Sequence, residues 1–313
     1  MRSYAILGTG AIGSFCAVLL HHAGYEVHCL LGRDYAHVKN QGITLIKGGK
    51  KLTAPIQAYD DVEKMPKCDV VVVALKTTVN EKLKSWLPRL MKGDSTVLLL
   101  QNGVGVEDEL TPFIKEEQIV GGACGLIVNK RGAGLFEHVS MNEIEFAQYY
   151  ADTKKKGVTQ RVKKVAADFS KAGVEAVLED HLWSIRWKKV IRNFPSNGLS
   201  VVLGASYAEM TGNPMSFDLL CRMTQEMILA AKKAGADIPE DFYEERVSQF
   251  ESFKELEGSY PSTKVDFDAK RSLELRAIFE NPVKIAHRYK ASVPFMEMLY
   301  AELVFLNEKN LLR

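Results

Sequence analysis

The run Tyr4-Ala5-Ile6-Leu7-Gly8-Thr9-Gly10-Ala11-Ile12-Gly13 opens the chain with a short apolar strand that breaks into a glycine-rich turn, and Ser14 to His22 carry on from it as a helix. Strand, turn and helix in that order are the context that the dinucleotide fingerprint requires. Gly8 allows the tight turn, Gly10 lets the backbone come close to a pyrophosphate, and Gly13 lets the helix pack on the strand, with Thr9, Ala11 and Ile12 completing the loop. The first helical turn then offers unpaired N–H groups and a partial positive charge to phosphates. Glycine-rich turns also occur for packing alone. Here a second β-rich run, Glu26 to Leu31, follows the helix and completes the unit.

Gly32 and Arg33 come directly after that second strand, about 20 residues beyond the third glycine. An acid at this point would hold a ribose 2′-hydroxyl, whereas an arginine accommodates a 2′-phosphate. Arg33 therefore points to NADP(H). The alternative is that Arg33 is a solvated loop charge and Asp34 takes the ribose.

Outward from this unit, Asp69 to Leu75, Val97 to Gln101 and Ile119 to Gly121 are further short strands between helical patterns. Several carry apolar residues at consecutive positions, as expected when helices cover both faces of a sheet. The fold class is α/β, a Rossmann-type doubly wound parallel sheet. Gly42 to Thr53 and Gly134 to Tyr150 read as less regular β segments, and Val158 to Lys171 as a helix stopped by Gly173. The sheet domain is expected to span residues 1–180. From His181 to Arg313 helical patterns dominate, with Asn213-Pro214 as a cap followed by proline at the first helical position, so an all-helical C-terminal domain follows.

The whole chain has 313 residues, of which 41 are Lys or Arg and 39 Asp or Glu, a net charge of +2. That balance gives no basic field for nucleic acid or a membrane surface. No apolar run approaches the roughly 20 residues of a transmembrane helix, and the N-terminus lacks the apolar core of a signal peptide. The five cysteines are scattered without metal spacing, which suggests a reduced, cytoplasmic protein, and the seven histidines form no ligand cluster, so no metal is expected. Met215, Leu219, Met223 and Met227 read as a helix core stripe.

Chemistry-bearing residues cluster at three places. Lys76-Thr77 and Gln101-Asn102-Gly103 lie at the carboxyl ends of strands, where ligands of open α/β sheets bind. In the helical half Lys189, Asn193 and Asn197 recur every four residues, which places an ammonium and two amides along one helix face. Such a row could line a substrate site, the lysine donating a proton to a developing alkoxide and the amides orienting the substrate. It could equally be the polar face of an ordinary helix. Ser262 and Glu274 add a hydroxyl and a carboxylate further on.

With the glycine fingerprint, Leu75-Lys76-Thr77, Gln101-Asn102-Gly103 and the Lys189, Asn193, Asn197 series in this order, the chain resembles the ketopantoate reductase (2-dehydropantoate 2-reductase) family over essentially its full length. The resemblance implies an NADPH-dependent reduction of ketopantoate to pantoate on the route to pantothenate and coenzyme A, with the helical domain binding the substrate. It implies that Lys189 bonds to the keto oxygen and helps protonate it. It further implies Asn193 and Asn197 as substrate-binding amides, Ser262 at the substrate carboxylate, Glu274 near the substrate oxygens, and Lys76 and Asn102 bordering cofactor and substrate. Three departures stand out. The family arginine for the 2′-phosphate aligns with Gly32, one place before Arg33; Pro195 interrupts the asparagine pair, where a kink is expected; and Arg276 stands where the family has an aspartate two residues past Glu274.

The expected partner is a small 2-keto acid, with no nucleic acid and no membrane, and a homodimer is left open. Two other functions remain to be separated: a related 2-keto/hydroxyacid reductase with another substrate, and a non-catalytic NADP(H)-sensing protein. The Lys189 and Glu274 pair argues against the second.

Overall fold

A computed structural model describes residues 2–312. They form two compact units, one of residues up to 101 together with 106–182, the other of residues 102–105 together with 183 onward.

The first unit is built on ten strands: β1 (Ser3–Leu7), β2 (Glu26–Leu30), β3 (Ile43–Lys47), β4 (Lys50–Ala54), β5 (Gln57–Tyr59), β6 (Cys68–Val73), β7 (Met91–Leu99), β8 (Ile119–Gly132), β9 (Leu135–Gln148) and β10 (Glu175–Leu178). In space they run β4-β3-β9-β8-β7-β6-β1-β2-β5, with β10 beside β9. The stretch from β5 through β8 is parallel. Its strands are buried on both faces: Tyr4, Ile6, Val70, Val72 and Leu98 join one apolar cluster, while the alternate residues Ala5, Leu7, Val71, Val73 and Leu99 are equally buried on the other side. Helices α1 (Ala11–His22) and α4 (Gln160–Lys171) contribute Phe15, Leu20, Val165 and Phe169 to the first cluster.

The sheet is mixed rather than wholly parallel. β8 and β9, read from the sequence as a short strand and an irregular segment, form one long antiparallel hairpin, and β3 pairs antiparallel with β4. The outer half of β8, Leu126 to Gly132, is largely exposed. After Leu126-Ile127-Val128 it turns polar at Asn129-Lys130-Arg131, so the apolar run by which a buried strand is recognised stops before the strand does.

The second unit holds α5 (Leu182–Leu203), α6 (Tyr207–Gly212), α7 (Pro214–Lys233), α8 (Phe242–Ser252), α9 (Ser262–Asp268), α10 (Asn281–Arg288) and α11 (Pro294–Leu311), with a π-helical segment over Arg276–Glu280. In the first unit α2 (Tyr35–Gln41) follows β2 and α3 (Leu83–Leu90) precedes β7. Asn213 caps α7 as its sequence implies, its Oδ1 accepting from the Met215 and Ser216 N–H groups at 2.9 and 3.2 Å. Met223 and Met227 lie in the core of this unit with Trp187, Phe194, Phe279 and Leu299. Met215 does not: it is 76% exposed, because it sits in the first turn of α7, before the helix reaches the core.

One polar group is central to the first unit. Asp168 on α4 accepts hydrogen bonds from the Tyr4 hydroxyl, the Tyr25 hydroxyl at 2.6 Å and Arg2 Nε at 2.6 Å, tying the helix to β1 and to the turn after α1. Asp168→Asn is expected to cost at least about 1.5 kcal/mol, since bonds to a charged acceptor are worth roughly 1.5–3 kcal/mol. Urea denaturation checks this, and an unchanged midpoint would refute it. Burial and the Asp168 carboxylate also push the Tyr25 phenol from 10.0 to about 12. The fold thus favours the protonated phenol. Its contribution is complete below pH 10.0 and fades as pH rises toward about 12.

Candidate active site

The glycine turn between β1 and α1 has a distinct task at each glycine. Gly8 has φ +95°, and a Cβ there would meet the Leu75 nitrogen at 2.5 Å. A Cβ on Gly13 would lie 2.1 Å from the Gly8 carbonyl oxygen, so helix and turn touch through bare backbone. Gly10 differs from both. It is exposed, and a Cβ built on it meets nothing within 4 Å. Gly10 is also the N-cap of α1, with no side-chain cap and no acid in the first turn, so the first N–H groups of the helix are left to solvent or a ligand.

Beside this turn a pocket of about 480 Å³ opens, lined by Gly8, Thr9, Gly10, Gly32, Arg33 and Asp34 from the first two β–α connections. Val79, Lys82 and Trp86 form another wall, the Lys82 ammonium 5.6 Å from the centre of the Trp86 ring. Asp60, Asp61 and Lys130 complete the rim. Asp60 is paired with Lys64 at 2.8 Å, and Asp61 caps a short helical turn through the Glu63 N–H at 3.0 Å. Asp34 is bonded to Lys130. Partial burial raises its carboxyl, but the Lys130 ammonium, the Gly134 N–H and the nearby Arg33 outweigh that and hold it below the ordinary carboxylate value. Arg33 itself is exposed in the pocket.

Of the residues assigned to a cofactor, Gly8, Thr9, Gly10 and Arg33 line this pocket, and Ala11, Ile12 and Gly13 form the helical turn behind it. Lys76 and Asn102 do not line it. Lys76 precedes a short 3-10 turn, Thr77–Lys82, and the loop holding it is stitched to the end of β7 by Gln101, whose Nε2 donates to the Leu75 carbonyl at 2.9 Å and to Asn80 Oδ1 at 2.7 Å. Asn102 starts the four-residue segment grouped with the helical unit.

That segment is held by close backbone contact. Gly103 has φ +108°, and a Cβ there would lie 2.5 Å from the Ala277 carbonyl oxygen. Next to it the Val104 N–H donates to the same carbonyl at 3.1 Å, and Asn281 Nδ2 donates to the Val104 carbonyl at 2.7 Å. Glu274 stands just before the same π-helical segment, its carbonyl accepting from the Ile278 N–H at 3.2 Å. Asn102 and Glu274 thus flank one anchoring point.

Lys189, Asn193 and Asn197 all lie on α5, which continues through Pro195 without a break in the helix. Lys189 and Asn193 are half-buried and Asn197 is buried. Asn197 Nδ2 donates to Thr263 Oγ1 at 3.1 Å, which brings Ser262, the exposed first residue of α9, to the Asn197 end of the row. Arg276 is exposed at the start of the π-helical segment.

Two family models match the chain, ketopantoate reductase PanE/ApbA over residues 4–150 and its C-terminal part over residues 181–307. The chain belongs to the ketopantoate reductase family. A 2-dehydropantoate 2-reductase of Nostoc sp. is 40% identical over 310 residues, covering 99% of this chain and 96% of its own. The crystal structure of 2-dehydropantoate 2-reductase from Geobacter metallireducens superposes with TM-score 0.90 at 29% identity, covering 97% of this chain and 99% of its own. That from Methylococcus capsulatus has TM-score 0.86 at 26% identity, covering 98% and 97%. The protein is thus an oxidoreductase of a pyridine-nucleotide-dependent family. No helix among its described residues is long and apolar enough to cross a membrane, and no group of three or more His, Cys, Asp or Glu there could hold a metal ion.

For this ketopantoate reductase family member, sequence reading missed Lys82, Trp86 and Lys130 at the pocket. No local pattern marks them: Lys130 reaches Asp34 only because the β8–β9 hairpin folds back over the β2–α2 turn. The three glycines separate binding from folding. Gly10→Ala has room for its methyl group and is expected to keep the wild-type melting temperature while weakening dinucleotide binding by ten-fold or more, about 1.4 kcal/mol. Gly13→Ala is expected to lower the melting temperature. Thermal melts and nucleotide titration of both variants check this; unchanged binding in folded Gly10→Ala would show that the turn does not carry the dinucleotide.

Proposed function

We propose that this chain is an NADPH-dependent ketopantoate reductase, converting 2-dehydropantoate to pantoate in the route to pantothenate and coenzyme A. The observation that carries the reading is the unbroken α5 row of Lys189, Asn193 and Asn197 tied to the start of α9, in a chain that matches a 2-dehydropantoate 2-reductase end to end. When bound, the nicotinamide cofactor supplies the hydride for the keto carbon.

The open side of Gly10 and the uncapped start of α1 fit a pyrophosphate, so Gly8 to Gly13 hold it through backbone N–H groups. Arg33 receives the 2′-phosphate. Asp34, engaged by Lys130 and Gly134, is poorly placed to bind a ribose hydroxyl instead, which supports NADP(H) over NAD(H). Lys76 and Asn102 border cofactor and substrate.

In the helical unit Lys189 donates a hydrogen bond to the keto oxygen and provides the proton as negative charge develops there. Asn193 and Asn197 orient the substrate. The Thr263 contact holds Asn197 in one rotamer, so its amide is arranged before substrate arrives. Ser262 meets the substrate carboxylate, and Glu274 lies near its remaining oxygens. Five free thiols suit a reducing cytoplasm. A homodimer through the helical unit is the assembly this reading favours.

Lys189→Ala is expected to lower single-turnover reduction of ketopantoate by about 10²–10⁴ with NADPH affinity retained. An unchanged rate would remove the lysine from the chemistry. In the wild type a panel of 2-keto acids followed by NADPH absorbance is expected to single out ketopantoate. Preference for another acid would favour the related reductase reading, and cofactor binding without turnover on any acid would favour the sensor. Exposed Arg276 is expected to lie outside the substrate contacts, so Arg276→Asp should leave KM for ketopantoate within about two-fold, well under 1 kcal/mol. A ten-fold loss of kcat/KM would place it at the substrate.

A further inference from the structure

Lys130 is an unusual member of the nucleotide pocket. It lies near the far end of β8, and its ammonium sits 2.5 Å from Asp34 Oδ2, at the N-cap of α2. Both side chains line the pocket, the lysine 46% exposed and the aspartate 16%, so the ammonium is the more open to a ligand of the two. The Gly134 N–H, in the turn of the same hairpin, also donates to Asp34 at 3.4 Å. Arg33 is adjacent in sequence and exposed on the same pocket wall. The remaining pocket acids are otherwise engaged, Asp60 with Lys64 and Asp61 with the Glu63 N–H. Two cations therefore share one carboxylate at this corner.

We propose that Lys130 is a second residue that reads the dinucleotide 2′-phosphate, with Asp34 as a built-in stand-in anion that the phosphate displaces from it. The inference rests on the NADP(H) reading above and adds to it a residue remote from the glycine turn and the β2–α2 connection. A phosphate carries about −1.5 to −2 charges at neutral pH and three acceptor oxygens, against one charge on a carboxylate, so an exposed lysine gains by the exchange. Asp34 keeps the Gly134 N–H when the lysine turns away. A dinucleotide without the phosphate has nothing to exchange and leaves the pair closed. Discrimination is thereby split between Arg33, always available, and Lys130, released only by the correct ligand.

The test is calorimetric titration of the full chain with NADPH, NADH, 2′,5′-ADP and 5′-AMP. Lys130→Met keeps the stem and removes the charge; it is expected to weaken NADPH and 2′,5′-ADP by about ten-fold while NADH and 5′-AMP stay within about two-fold. Lys130→Arg should restore most of the loss. Asp34→Asn removes the competitor and should bind NADPH at least as tightly as the wild type. Equal weakening of phosphorylated and unphosphorylated ligands in Lys130→Met would mean the lysine only positions the hairpin, and unchanged NADPH affinity would mean it does not meet the phosphate; either overturns the proposal. Wild-type protein that binds NADPH and NADH equally would instead overturn the NADP(H) reading, and the proposal with it.

Discussion

The nucleotide-binding architecture depends on one close approach: the α1 backbone at Gly13 lies where a methyl group would be 2.1 Å from the Gly8 carbonyl oxygen. With both positions reduced to bare backbone, the helix starts directly over the end of β1 rather than several ångströms away. Its uncapped N–H groups consequently point out of the carboxyl edge of the sheet. The parallel strands β6 and β7 end at the same edge, and Gln101 ties their loops together through Leu75 and Asn80. Sheet twist, helix dipole and loop stitching thus converge on one rim.

The helical unit solves a different problem, that of holding polar side chains steady inside an apolar cluster. α5 is lined by Trp187, Ile191 and Phe194 on its buried side, and Phe194 packs against Phe279 with ring centres 5.0 Å apart. Gly198 lets Leu299 and Phe279 approach α5 so closely that a Cβ would fall within 2.5 Å of Leu299. Such packing leaves the helix little freedom to rotate, so the direction of the Lys189, Asn193 and Asn197 row is set by the core and not by the polar residues themselves. Pro195 fits the same scheme. It removes one backbone donor, yet the residues on both sides of it stay helical, with Phe194, Ser196 and Asn197 buried around it.

Electrostatics at the nucleotide pocket is arranged by prior commitment of acids. Asp34, Asp60 and Asp61 all line it, and each already has a donor of its own in Lys130, Lys64 or a backbone N–H. An anionic ligand therefore meets carboxylates that are screened locally. The cost to binding is smaller than the bare count of charges would imply.

What the sequence determined by itself was whatever depends on neighbours along the chain. The strand, turn and helix from Tyr4 to His22, the Asn213-Pro214 cap and the stop at Gly173 are local matters of φ, capping and period, and all three appear in the structure. The four-residue spacing on α5 was legible for the same reason, since helical geometry alone places those side chains on one face. Only the tertiary structure decided which distant residues meet. Lys130 reaches Asp34 through a long hairpin whose outer half is largely exposed, and Asn281 holds the Val104 carbonyl across 177 residues. The exposure of Met215 and the mixed direction of the sheet belong here too. Such pairings follow from strand register, twist and side-chain packing over the whole unit, and no short stretch of sequence contains them.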